Sequence, residues 1–227
     1  AVDALLGHPD VAAVSFVGST PIAKYVYEQA TARGKRCQAL GGAKNHMIVL
    51  PDADVDMAAD AAVSAAYGSA GERCMAVSQL VAVGDVADKL VDAIKQRIPN
   101  VKVGDGMDPS SEMGPLITRE HRDKVASYIG EEGDVVVDGR ENCPSDGFFL
   151  GATLIDNITP EMRAYQDEIF GPVLGVTRVE TYEEAVRLVN ENPYGNGTAI
   201  FTRDGGVARQ FQFEVQAGMV GINVPIP

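Results

Sequence analysis

The stretch GSAGERCMA, residues 68–76, places a thiol behind a run of small residues and directly after a glutamate and an arginine. Small residues let backbone and a ligand approach closely, and a fixed cation beside a cysteine favours its thiolate. Cys74 is therefore a candidate nucleophile, with Arg73 as the cation next to it. The alternative is a small apolar filler, the usual state of a free cysteine. That plainer description suits Cys37, in an apolar strand-like run, and Cys143, in the polar stretch ENCPSDG. No Ser-His-Asp or Cys-His-Asn pattern accompanies Cys74, so thiolate chemistry would need another activating device.

Three more stretches combine chemistry with turn residues. In FVGSTP a strand ends at Gly18-Ser19-Thr20 before a helix, offering amide groups, a hydroxyl and the positive end of the helix dipole to an anion. A simple capped helix after a strand would look the same. In QDEIFGPVL, residues 166–174, Glu168 could accept both hydroxyls of a ribose and Phe170 could pack on a flat ring. A solvated glutamate before a turn is the plain alternative. In QALGGAKNH, Gly41-Gly42 gives backbone freedom where a strand stops, with Lys44 and His46 following. That could be no more than a turn between domains.

The elements that must position these residues alternate between strand and helix. AVSFV (13–17) reads as a strand, and Pro21 opens a helix with Ile22, Tyr25, Val26 and Ala30 on one face and Gly34 closing it. RCQAL and HMIVL read as strands, and Asp54 begins a helix through Tyr67 with Val55, Ala59, Ala62, Val63 and Ala66 inward. QLVAV (79–83) is a strand and residues 86–98 an amphipathic helix. A Gly-, Pro- and Ser-rich loop follows, then a helix from Thr118 to about Ile129 and a strand DVVVD (134–138). An apolar strand region at 148–155, VLGVTRV, a Thr181–Glu184 capping box with its helix, GTAIFT, a helix from Asp204 and GMVGINV complete the pattern. The fold class this predicts is α/β, a mostly parallel sheet flanked by helices. A boundary falls near the Gly-Gly turn, dividing residues 1–42 from 43–227.

Composition narrows the function. With 32 acidic against 19 basic residues, a net charge of −13, the chain is ill suited to track a nucleic-acid backbone. Three cysteines and three histidines without ligand spacing argue for no metal and no disulfide framework, and for a reducing compartment. No apolar window of about 18 residues exists, so no membrane partner is expected. The start, AVDALLGHPD, has no signal-peptide pattern, which points to the cytoplasm. The missing initiator methionine and the stop at GINVPIP suggest a piece of a longer protein.

Taken in order, the GST turn, the LGG turn, the G-x-x-C loop, E-x-F-G-P, NPYGNGTAIFT and GMVGIN resemble the aldehyde dehydrogenase superfamily along essentially the whole chain. LGGAKNH, YGSAGERCMA, MGPLITREHRDKV and GINVPIP are similar to the methylmalonate-semialdehyde dehydrogenases within it. The resemblance implies NAD-dependent oxidation of an aldehyde attacked by the Cys74 thiolate. It implies cofactor contacts from Gly18, Ser19, Gly41, Glu168 and Phe170. It also implies that residues 1–42 are the end of a Rossmann-type NAD-binding domain and that 43–227 form the catalytic domain of a homo-oligomeric parent.

Hydrolytic members carry a glutamate directly before Leu-Gly-Gly as the base for water; here that position is Ala39, with an extra Ala43 before Lys44. That departure points to coenzyme A as the acyl acceptor. A small semialdehyde substrate bearing a carboxylate would suit Arg73 as a clamp, although Arg73 could instead pair with Glu72. Because upstream cofactor and oxyanion residues are missing, this piece alone is expected to be inactive. A hydrolytic dehydrogenase and a non-catalytic protein on the same scaffold stay open as alternatives.

Overall fold

The computed structural model describes residues 1–141 and 143–226; Asn142, in the ENCPSDG stretch, and Pro227, at the end of GINVPIP, lie outside the described residues. The chain forms two compact units, Ala1–Ala43 and Lys44–Pro227.

The first unit contains α1 (Val2–Gly7), β1 (Ala13–Val17), α2 (Thr20–Thr31) and β2 (Arg36–Leu40). β1 and β2 pair in parallel, from Ala13 opposite Arg36 to Val17 opposite Leu40, so strand, helix and strand make one βαβ unit. Gly34, at φ 70°, turns the chain out of the helix into β2. The inner face of α2 differs from the one its apolar spacing suggests. Ala23, Val26 and Ala30 are buried, whereas Ile22 and Tyr25 are 50% and 42% exposed. That face meets β1 and β2, through Val14, Phe16 and Cys37, as well as α1, which the sequence does not announce. Its Leu6 packs with Val26 and Ala30, and its Asp3 accepts a 2.7 Å hydrogen bond from the Tyr25 hydroxyl.

The second unit is a seven-stranded sheet, in the order β5-β6-β7-β4-β3-β8-β9. The strands are β3 (Asn45–Val49), β4 (Val77–Val83), β5 (Asp134–Val137), β6 (Thr153–Asp156), β7 (Val173–Val179), β8 (Gly197–Phe201) and β9 (Met219–Ile222). The helices are α3 (Val55–Tyr67), α4 (Ala87–Arg97), α5 (Arg119–Ala126), α6 (Arg163–Gln166), α7 (Tyr182–Glu191) and α8 (Gly205–Glu214). All strand neighbours are parallel except β5 and β6. The α/β class with a mostly parallel sheet is therefore as the sequence pattern requires.

Every residue of β3 and β8 is buried, because helices cover both faces. On one face Met47, Leu80 and Phe201 pack with Ala58, Ala62, Leu90 and Ile94 of α3 and α4. On the other, Ile48, Val81 and Ile200 pack with Ala185, Val189 and Phe211 of α7 and α8. Val55 and Val63 are only partly buried, while Ala58 and Tyr67 join the inner face of α3. The helix begun by Thr118 stops at Ala126, and the 148–155 region is a strand only at Thr153–Asp156.

Helix starts follow side-chain chemistry. Asp54, Thr118 and Asp204 each accept from backbone amides of the first turn. Thr181 and Glu184 form a reciprocal capping box at α7.

Parallel pairing gathers the amino ends of β3, β4, β7 and β8 on one edge of the sheet. The loops entering those strands carry Lys44, Cys74, Glu168 to Gly171, and Asn196. Open α/β sheets usually bind ligands beyond the carboxyl ends of their strands. Here the chemistry-bearing residues collect at the opposite edge. Replacing Thr181 by Ala should lower stability by about 1 kcal/mol and speed amide exchange in the first turn of α7; unchanged exchange there would show that the box contributes nothing.

Candidate active site

The loop that carries Cys74 leaves α3 through a left-handed turn. Ser69, Ala70 and Gly71 follow one another at φ 53°, 55° and 68°. For the two non-glycine residues that geometry costs about 1–2 kcal/mol each, so the surroundings must hold it. They do so at Gly71, where a methyl group would overlap the carbonyl oxygen of Gly171. The turn is thus pressed backbone to backbone against the segment that ends in Gly171-Pro172.

Beyond the turn, two asparagines grip the main chain. Asn45 Nδ2 donates to the carbonyls of Cys74 and Ala76, both at 2.9 Å, and its Oδ1 accepts from Gly197 N at 3.1 Å. Asn196 Nδ2 donates to the same Cys74 carbonyl at 2.9 Å. These bonds tie the loop to the starts of β3 and β8. The Cys74 residue itself is exposed, as is Arg73. Glu72 turns to His121, with 3.6 Å between carboxylate and ring, and accepts from Ile117 N at 3.4 Å. Burial raises the Glu72 carboxyl pKa, with the Ile117 amide and His121 working against it.

The segment facing this loop runs from α6 to β7. Glu168 is half-buried, and Phe170 is 38% exposed with a left-handed backbone, φ 56°. The Phe170 carbonyl lies 2.7 Å from His121 Nε2, and Asp167 accepts from the Tyr128 hydroxyl at 2.7 Å. From behind, the buried Lys44 donates to the carbonyls of Ala164 at 2.7 Å and Asp167 at 3.0 Å.

Burial pulls the Lys44 pKa down to about 7, although Asp167 and Glu168 favour its charge. Burial and the Lys44 charge bring His46 to about 3, against a backbone hydrogen bond of Lys44. The neutral His46 ring meets the Tyr165 hydroxyl at 3.0 Å. Far from a bare interdomain turn, the AKNH stretch supplies the buried polar support of the site.

In the first unit, Gly18, Ser19 and Gly41 come together. Gly18 N donates to Leu40 O at 3.1 Å, and Gly42 N donates to Thr20 Oγ1 at 3.0 Å. A methyl at Gly41 would stand 2.9 Å from Thr20 Oγ1. Ser19 is the exposed N-cap of α2, yet its side chain makes no capping bond. The Ala39 side chain is half-buried, and Leu40 after it is exposed. Neither carries a carboxylate.

Sequence reasoning missed Asn45, Asn196 and His121. NPYGNG hints at a turn asparagine, but nothing local signals that two of these residues hold the Cys74 carbonyl. Among the described residues no group of histidine, cysteine, aspartate and glutamate could hold a metal ion, and no helix is long and apolar enough to cross a membrane.

Gly71→Ala should cost about 3 kcal/mol, from the clash and the positive φ together, whereas Gly114→Ala, with nothing within 4 Å, should be near neutral. Equal unfolding midpoints for the two variants would refute the tight contact. Lys44 gives a pH test. Between about 7 and its ordinary 10.5 the unfolded chain binds one proton more than the folded one, so this residue makes stability rise with pH across that window. Denaturant midpoints of Lys44→Met should lack that rise; a parallel rise in both proteins would count against a charge-destabilised buried lysine.

The profile of the Aldehyde dehydrogenase family matches residues 1–227. The chain is 54% identical to malonate-semialdehyde dehydrogenase of Pseudomonas aeruginosa, with all of this chain and 47% of that protein aligned. Identity to the protein of that name from Halalkalibacterium halodurans is 51%, covering 100% and 48%. The crystal structure of methylmalonate-semialdehyde dehydrogenase from Oceanimonas doudoroffii superposes with a TM-score of 0.97 at 57% identity, over 100% of this chain and 48% of that one. A putative methylmalonate-semialdehyde dehydrogenase from Sinorhizobium meliloti, complexed with NAD, gives 0.96 at 51% identity, again over 100% and 48%. The chain spans about half the length of the curated relatives it matches. With its whole length matched by the family profile and a cysteine loop locked to the E-x-F-G-P segment, the chain belongs to the aldehyde dehydrogenase family.

Proposed function

We propose that this chain is the thiol-bearing part of an NAD-dependent, coenzyme A-acylating dehydrogenase for malonate or methylmalonate semialdehyde. The observation that carries this function is the exposed Cys74, on a loop fixed by its main chain against the Glu168–Phe170 segment. A nucleophile needs an open side chain on a rigid support.

The Cys74 thiolate attacks the aldehyde carbon, forming a C–S bond and an alkoxide. Arg73, exposed beside it, clamps the substrate carboxylate through charge-assisted hydrogen bonds. Bound NAD supplies the hydride acceptor that leaves a thioacyl group on Cys74. The residues fit that cofactor: the twelve-residue helix α2 presents an N-terminus to which Ser19 gives no side-chain cap, so Gly18 and Ser19 suit a phosphate. Glu168 would hold the ribose diol and Phe170 would pack beside it, while Gly41 would allow close backbone approach to the nicotinamide.

Ala39 decides the acyl acceptor. Without a carboxylate there, water lacks a base, and the coenzyme A thiol takes the acyl group instead. The substrate carboxylate leaves as carbon dioxide, the electron pair of the broken C–C bond passing into a thioester enolate that takes a proton from water, so that the products are acetyl-CoA or propionyl-CoA. Residues 1–42 then end an NAD-binding domain and 43–227 form the catalytic domain of a cytoplasmic homo-oligomer.

Rapid mixing of the full-length protein with methylmalonate semialdehyde and NAD tests the acceptor. The expected result is a stoichiometric burst of NADH that stalls without coenzyme A, turns over with it, and vanishes in Cys74→Ala. Steady turnover without coenzyme A would overturn the acylating assignment in favour of hydrolysis.

A further inference from the structure

We propose that His121 is a positioning residue that holds the Glu168–Phe170 segment in its cofactor-binding place against the cysteine loop. This rests on the function proposed above and adds to it a residue that touches neither substrate nor the reacting thiol.

Three observations converge on the face of α5 that carries His121. First, His121 Nε2 lies 2.7 Å from the Phe170 carbonyl oxygen. A carbonyl only accepts, so Nε2 carries a hydrogen and donates it, which fixes the ring's orientation. Second, Val125, one turn along the same helix, packs so closely under Gly171 that a methyl there would meet its Cγ1 at 2.5 Å. Consecutive turns of α5 therefore seat the Phe170–Gly171 peptide from one side. Third, the His121 ring stands 3.6 Å from Glu72, two residues before Cys74, and the pair is largely shielded, with side-chain exposures of 21% and 18%. One imidazole thus touches both segments.

The helix is itself anchored at this point. Thr118 Oγ1 accepts from the backbone amide of His121 at 3.1 Å, so the ring extends from a fixed first turn. The carbonyl it holds belongs to Phe170, whose φ of 56° a side chain adopts only when its surroundings enforce it. Releasing that carbonyl lets Phe170 return to ordinary backbone geometry. The turn would then swing Phe170 and the preceding Glu168 away from the cofactor, while Cys74 stays gripped by Asn45 and Asn196.

The effect should fall on NAD and spare the thiol. In the full-length protein, His121→Leu should raise the KM for NAD and the directly titrated NAD Kd about fivefold or more, as expected for one lost hydrogen bond of this kind. Alkylation of Cys74 by iodoacetamide without NAD, and the unfolding temperature, should stay near the parent's. His121→Gln, whose amide can donate to the same carbonyl, should bring NAD binding back to within about twofold. Parent-like NAD binding in His121→Leu would overturn the inference, with the dehydrogenase function intact. So would equal losses of NAD binding and thermal stability in both variants, because that pattern marks a purely structural residue. A parent that neither binds NAD nor forms NADH would remove the function and this role together.

Discussion

Two peptide backbones, at Gly71 and Gly171, meet with no room for a methyl group between them. Much of the candidate site follows from that contact. It requires glycine at position 71, where φ is also positive, and it explains why Ser69 and Ala70 accept left-handed geometry on the way in. It brings a loop ending one helix to the segment entering β7, which are a hundred residues apart in sequence. The contact also pins one point of each segment, close in sequence to Arg73 and Cys74 on one side and to Glu168 and Phe170 on the other, and leaves the rest of each to its own hydrogen bonds.

The sheet provides the second constraint. Parallel pairing puts the amino ends of neighbouring strands side by side, so Asn45 at the start of β3 can reach the residues before β4 and the first residue of β8 at once. Satisfying three backbone groups with one amide is efficient where a buried unpaired group would cost about 1–3 kcal/mol. Lys44 does the same for the segment before β7, at an electrostatic disadvantage shown by its depressed pKa. A buried lysine bonded to carbonyls weakens the fold while fixing a loop, a trade common where geometry matters more than stability.

Local signals in the sequence were accurate where the physics is local. Asp54, Thr118, Thr181 and Asp204 start helices because their side chains meet amides two or three residues away. The runs HMIVL and GTAIFT read as strands, and strands β3 and β8 lie there. Legibility failed where the deciding partner is distant. The inner face of α2 is set by packing on β1, β2 and a short helix without strong end signals. The stretch DVVV reads as a strand, but nothing in it specifies that β5 runs antiparallel to β6. The motifs around Cys74 and Glu168 named the two loops, yet not their restraints. His121 bonds a carbonyl 49 positions away and Asn196 one 122 positions away, and neither pairing leaves a mark in the adjacent residues.

The grip on the Cys74 carbonyl has one more consequence. Both asparagines hold position 74 by its main chain and make no demand on its side chain. The architecture is therefore indifferent to which functional group stands there. A single codon change could replace sulfur with oxygen, hydrogen or a larger nucleophile without redrawing the loop. In evolutionary terms the side chain at position 74 is a removable part on a permanent mount, free to change faster than the fold that presents it.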